Sequence, residues 1–219
     1  MKTNNTSCRL ASLFILAISP NLVACSKPSR GVLELRTSRE ATRAAQSWQE
    51  DISAQVPTGQ WMIVDLEKVE CPGRMDRIAM LRDPHNRGVH ELEYDGAYYS
   101  KGDGADWTKV PGAKIAAISC GQGPLLVWDG VLYSDLEAVE RSGEVRLAKP
   151  TISSDDACEW WEVAPEKDGP PHYTVCIHAD DHLPYIVHSH EHNLNYTYTL
   201  SNWNKTKVTL PENLSSAND

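Results

Sequence analysis

From Trp61 onward apolar and polar residues alternate over short stretches broken by turn residues, the pattern of half-buried β-strands. The alternation predicts strands at Trp61 to Val69, Arg74 to Leu81, Val89 to Tyr94, Ala97 to Lys101 and Trp107 to Val110. A second group follows at Glu144 to Ala148, Glu159 to Val163, His172 to His178, Tyr185 to His190, Leu194 to Leu200 and Lys207 to Leu210. Between them lie Pro72-Gly73, Pro84 to Gly88, Asp95-Gly96 and Gly102-Asp103-Gly104; an Asp-Gly pair flanked by strands is a strong two-residue hairpin signal. Two stretches carry helical spacing instead. Thr37 and Glu40 form a capping box, and Ala41, Ala44, Ala45, Trp48 and Ile52 then fall on one stripe, predicting a helix from Ala41 to Ile52 that stops before Pro57-Thr58-Gly59. Ser134 and Glu137 form a second box, with Leu132, Leu136 and Val139 in helical register up to Ser142-Gly143. The expected fold class is α+β and mainly antiparallel: about ten or eleven strands, with helices packed on one face.

Of six cysteines, Cys8 and Cys25 lie at the N-terminus, leaving Cys71, Cys120, Cys158 and Cys176 in the body. An even set in an exported chain reads as two disulfides. Lys167-Asp168-Gly169 is a turn signal almost midway between Cys158 and Cys176, so a bridge across that hairpin is expected, which leaves Cys71 with Cys120. Zinc binding by these cysteines lacks a C-x-x-C pair.

The hairpin cysteines also set a register, and a slip of one residue turns every side chain to the other face. With Cys158 opposite Cys176, Trp161 faces Tyr173; pairing Ile177 with Tyr185 sets Val175 beside Val187. One face then collects Trp161, Val163, Tyr173, Val175, Ile177, Tyr185 and Val187, extended by Tyr196, Tyr198 and Leu200. This inner face is either ordinary core beneath the helices or, where they leave room, the lining of a groove for an apolar ligand. On the opposite face His188, His190 and His192 alternate, with His190 set opposite His172 and His172 opposite Glu162. Directly opposed Cβ atoms lie about 4.5–5.5 Å apart, so a subset of His172, His188, His190 and Glu162 could bind Zn²⁺ or Cu²⁺. The plain alternative is a solvated polar face with no cofactor.

Composition narrows the function classes. The net charge of −9 becomes two units more negative without Lys2 and Arg9, and such a surface repels phosphate backbones, so no nucleic-acid partner is expected. Seven Trp and eight Tyr stand against one Phe, Phe14, so every aromatic residue of the body carries a polar handle suited to surfaces part apolar and part wet. No nucleophile elbow, S-x-x-K, H-E-x-x-H, phosphate-cradling loop or calcium loop occurs, and an enzyme is not expected.

The first 24 residues read as a secretory signal: Lys2 and Arg9, a short apolar run from Leu10 to Ser19, then Leu22-Val23-Ala24-Cys25. That ending resembles the lipobox of bacterial lipoproteins, and the resemblance implies cleavage before Cys25, acylation of Cys25 and attachment to a membrane. Ser26 after the cysteine implies, by the same resemblance, sorting to the outer membrane, with the body facing the periplasm. The expected organisation is a signal peptide at 1–24, a lipidated tether at 25–36, one domain at 37–212 and a disordered tail at 213–219.

The strand arrangement as a whole resembles the LolA-like family of periplasmic lipoprotein carriers and their relatives LolB and the mycobacterial LppX/LprG group. The resemblance is carried by the helix at 41–52, the hairpin Tyr94-Asp95-Gly96-Ala97-Tyr98-Tyr99, the hairpin from Cys158-Glu159-Trp160 to Cys176, and the ending Tyr198-Thr199-Leu200-Ser201-Asn202-Trp203-Asn204 to Val208-Thr209-Leu210-Pro211. It implies an incomplete barrel with helices on its concave face, and a membrane-anchored protein that holds a lipid or a lipoprotein acyl chain. Two other functions fit the residues: a metal-binding or sensing lipoprotein using the histidine strand, and a structural envelope protein with a filled interior.

Overall fold

A computed structural model describes residues 28–55, 61–81, 88–113, 124, 138–141, 143–148, 158–191 and 194–215. Eleven strands form one antiparallel sheet in the order β6-β5-β4-β3-β2-β1-β11-β10-β9-β8-β7. They are β1 (Ser47–Gln55), β2 (Trp61–Glu70), β3 (Arg74–Leu81), β4 (Gly88–Tyr94), β5 (Ala97–Gly102), β6 (Thr108–Lys109), β7 (Glu144–Leu147), β8 (Cys158–Ala164), β9 (Tyr173–His178), β10 (Pro184–Glu191) and β11 (Leu194–Ser201). Among the described residues the sheet is not closed: β6 and β7 are its two edges, so the architecture is an incomplete barrel. Two meanders run outward from the centre and meet where β1 pairs with β11, for example Ile52 with Tyr198. Asp95 and Gly96 both take positive φ, 48° and 83°, as the expected two-residue turn between β4 and β5 requires.

The expected helix from Ala41 to Ile52 is overturned. The helix, α1, spans Arg30–Ala44, and Trp48 and Ile52 belong to β1. Ser29 caps it, its Oγ accepting from the Val32 N–H at 3.3 Å. The stripe it buries is Gly31, Val32, Leu35, Ser38 and Thr42; Ser38 and Thr42 disguise that stripe as polar, while Thr42 donates to the Ser38 carbonyl at 2.8 Å. Residues 30–36, expected as tether, therefore belong to the packed body. Gly31 permits close approach to β7, since a Cβ there would meet Val145 Cγ1 at 2.5 Å.

Val32 and Leu35 join Trp48, Ile52, Val69, Met75, Val139, Val145 and the inner-face residues of β8–β11 in one core. Three ion pairs fasten the helix from outside: Arg30–Glu159, Arg36–Glu140 and His182–Glu34, each at 2.7 Å. Such surface pairs are worth about 0–1 kcal/mol each, whereas burying a Val or Leu side chain is worth about 1.5–3 kcal/mol, so the apolar stripe holds α1 down. Residues 138–141 are helical, with Val139 in the core; the rest of the expected second helix lies outside the described residues.

The expected strand from Lys207 to Leu210 is also corrected. Among the described residues this stretch pairs with no strand and instead straps the outer face, where Val208 and Leu214 are buried with Leu92 and Tyr99. The Glu70 carboxylate fastens the strap, accepting from Lys207 Nζ at 2.8 Å and from the Val208 N–H at 2.9 Å, and these bonds hold its pKa below the usual value. Residues 213–215, expected in a disordered tail, lie in a short helix, Glu212–Ser215, that supplies Leu214. Cys158 and Cys176 are disulfide-bonded. Cys71 is also disulfide-bonded, while its expected partner Cys120 lies outside the described residues.

Candidate functional site

The register of β8 on β9 differs by two residues from the expectation: Trp161 faces Val175, Val163 faces Tyr173, and Cys158 sits diagonal to Cys176 because it faces His178. An even shift leaves the faces unchanged. On the next ladder Val187 faces Val175 as expected, but an irregularity between Pro184 and Ile186 sets Ile177 opposite Pro184 instead of Tyr185. The inner face therefore contains the expected residues. Trp161, Val163, Tyr173, Val175, Ile177, Val187, Tyr198 and Leu200 are all buried in the core beneath α1, and Tyr185 and Tyr196 pack partly buried against it. In this half of the sheet the side chains proposed as groove lining are tightly covered.

The same face continues across the other half with a different chemistry. One row of the sheet reads Leu200, Glu50, Glu67, Arg77, Glu91 and Ser100, each directly opposite the next. Asp65, two residues before Glu67 on β2, faces Ile52 in the neighbouring row. Arg77 Nη2 meets Asp65 Oδ2 at 2.5 Å, and its Nε donates to both Asp65 oxygens at 3.1 and 3.0 Å. The guanidinium also lies 3.2 Å from Glu67 and 3.6 Å from Glu91, and the Tyr98 hydroxyl donates to Glu91 at 2.5 Å. Glu50 is 0% exposed, and neither carboxylate oxygen has a hydrogen-bond partner. Among the described residues three carboxylates thus share one guanidinium, and the fourth, Glu50, has none. Burial pushes the Glu50 carboxyl far above its usual range, with Glu67 and then Asp65 adding repulsion. Glu67 is raised to about 7 by burial and by Asp65, against the opposing pull of Arg77.

Beyond this row, coverage thins. Ala79, Glu93, Tyr98 and Ser100 are partly buried, and Val89 on the same face is 44% exposed. A cleft of about 410 Å³ at this end of the sheet lies toward the outer face, where Ile78, His90 and Lys101 stand in one row, and is lined further by Val89 and residues 102–105.

The histidine row is not assembled as expected. The two-residue shift sets Glu162 opposite Thr174, not His172. Glu162 lies 3.4 Å from Arg146, and His172 precedes β9, donating its N–H to the Val163 carbonyl. His188 stacks on Trp160, with ring centroids 5.6 Å apart and planes at 5°, and its Nδ1 lies 3.2 Å from Thr197 Oγ1. His190 pairs through its backbone with Asn195; its side chain and His192 lie outside the described set. Among the described residues no group of three or more His, Cys, Asp or Glu is arranged to hold a metal ion.

The carboxylate row is the feature that strand reading misses. Charged residues at alternate positions read as a solvated face, yet the Pro72-Gly73 turn between β2 and β3 sets Glu67 opposite Arg77, and that alignment is the available signal.

An unclosed eleven-stranded antiparallel sheet with α1 packed on its inner face is an LppX-like fold. The solved structure of the Mycobacterium tuberculosis lipoprotein LppX matches at 14% identity with a TM-score of 0.50, covering 82% of this chain and 97% of that one. LprF from Mycobacterium bovis matches at 17% identity with a TM-score of 0.48, covering 83% and 96%. A LolA superfamily protein from Nitrosomonas europaea matches at 10% identity with a TM-score of 0.28, covering 84% and 96%. No protein-family model matches the chain, and no curated protein matches it.

Proposed function

We propose that this protein is an envelope lipoprotein, anchored through Cys25 and facing the periplasm, that holds the apolar part of a lipid or acylated ligand on the concave face of its incomplete barrel. The LppX-like fold and the Leu22-Val23-Ala24-Cys25 motif support the reading, and Ser26 favours the outer membrane. The observation that carries it is uneven coverage of one continuous face. Across β8–β11 that face is buried in the core that includes α1, while across β3–β5 it emerges into partly buried Ala79 and Tyr98 and an exposed Val89. A guest enters over β3–β5, and the aromatic half serves as the rigid floor that the sequence alone suggested as the groove.

Native mass spectrometry of protein released gently from membranes is expected to show a co-purifying lipid mass, absent after organic extraction and depleted in Val89→Asp. A clean apo mass from the unaltered protein overturns the reading.

A further inference from the structure

The inner-face acids leave a charge to be matched. Glu50, Asp65, Glu67 and Glu91 lie in two adjacent rows on β1, β2 and β4, and among the described residues Arg77 is the one cation in contact with any of them, reaching Asp65, Glu67 and Glu91. Arg77 is committed mainly to Asp65, which its Nε and Nη2 both reach. Glu91 has the Tyr98 hydroxyl as a second partner. Glu50 has nothing: it is fully buried, directly opposite another carboxylate, and both its oxygens lack a donor. A buried carboxylate without a partner costs more than a chain keeps without return, so such groups are neutralised by a proton or by a cation.

We propose that this cluster receives an organic ammonium group carried by the polar end of the bound ligand, with Glu50 and Glu67 as its acceptors. The inference rests on the carrier reading and narrows it to a ligand that is apolar along its length and cationic at one end. Two further observations favour an ammonium over a metal ion. The described carboxylates are not gathered closely enough to ligate a metal, whereas an ammonium can spread its donors over oxygens farther apart. Trp48, on the same face two residues from Glu50 and buried, offers an aromatic ring of the kind that ammonium groups favour. A proton competes for the same oxygens. Glu67, faced by Glu50 from β1, Arg77 from β3 and Glu91 from β4, with Asp65 on its own strand, gives the site up as pH falls through about 7.

The test uses the full chain freed of co-purified lipid, titrated calorimetrically with dodecylammonium and dodecanoate below their micelle-forming concentrations. Dodecylammonium is expected to bind about tenfold tighter or more, with the margin growing from pH 6 to pH 8. Because the whole surface is acidic, the decisive comparison is with Glu50→Gln and Glu67→Gln, which change one buried charge each and should erase most of the preference. Equal binding of the two amphiphiles, or a preference that survives in both variants, overturns the cationic site and leaves the carrier reading standing. If neither amphiphile binds the unaltered protein, the carrier reading falls and takes this inference with it.

Discussion

Glu50 is the residue on which the chemistry of this sheet turns. It occupies the centre of β1, faces Glu67, and lies out of reach of water. Both carboxyls are raised above the ordinary value of 4.5, Glu67 to about 7. A group whose folded pKa is raised binds its proton more tightly when folded, so its stabilising effect is complete below the unfolded pKa and is lost as pH climbs through the folded one. For Glu67 the loss runs from about pH 4.5 to about 7 and reaches at most about 1.4 kcal/mol per pH unit. The thermal midpoint of the ligand-free protein is therefore expected to fall between pH 5 and pH 8 in circular dichroism melts. Glu50→Gln should flatten that dependence and raise the midpoint at pH 8, because it removes a fully buried carboxyl whose own pKa is raised well above its usual value, while Glu67 keeps Asp65 and Glu91 as repelling neighbours; a midpoint indifferent to both pH and substitution would contradict this account. Gly31 matters for the opposite reason, the lack of a side chain. A Cβ there would lie 2.5 Å from Val145 Cγ1 and 2.9 Å from the Val145 carbonyl, so Gly31→Val is expected to lower stability by about 1–3 kcal/mol in denaturant titration, and shortening Val145 relieves only part of it because the backbone oxygen stays.

At the scale of elements, α1 is the cover of the aromatic half, and its hold depends on Val32 and Leu35 more than on its exposed ion pairs. Leu35→Ala is expected to cost about 2–5 kcal/mol and to raise the fluorescence of a hydrophobic dye as the inner face is uncovered; loss of stability without dye binding would mean that something other than α1 seals this face. How far these elements can be read from sequence follows from the same physics. Strands β2–β5 and β7–β11 announce themselves, because their apolar residues alternate and Asp-Gly and similar pairs mark their ends. Strand β1 does not, since a glutamate occupies the middle of its buried face while Ala41, Ala44, Ala45, Trp48 and Ile52 happen to keep helical spacing across the true boundary. No glycine or proline marks that boundary either; α1 ends where Ala45 turns extended. The expected opposition of Glu162 and His172 fails for a different reason. The disulfide joins diagonal residues and not directly opposed ones, and two residues of shift suffice to part Glu162 from His172 while leaving the aromatic face intact. The carboxylate row escapes because charge on a strand reads as exposure until neighbouring strands are aligned.

Across the whole molecule, the sheet divides its inner face into a sealed aromatic floor on β8–β11 and an acid-bearing, partly open stretch on β2–β5, with β1 as the border. That division sets an apolar interior within a chain of net charge −9. No helix among the described residues is long and apolar enough to cross a bilayer, so membrane association is expected to depend on Cys25. Cys25→Ser should abolish incorporation of radiolabelled palmitate and move the protein out of the membrane fraction; continued labelling would place the acylation elsewhere. The pairing of β1 with β11 carries a last consequence. A chain threaded across a membrane from its N-terminus displays one bare flank of β1 until residues 194–201 emerge, so its central seam is stitched last. Until then the half-built molecule is a sticky template for strand exchange.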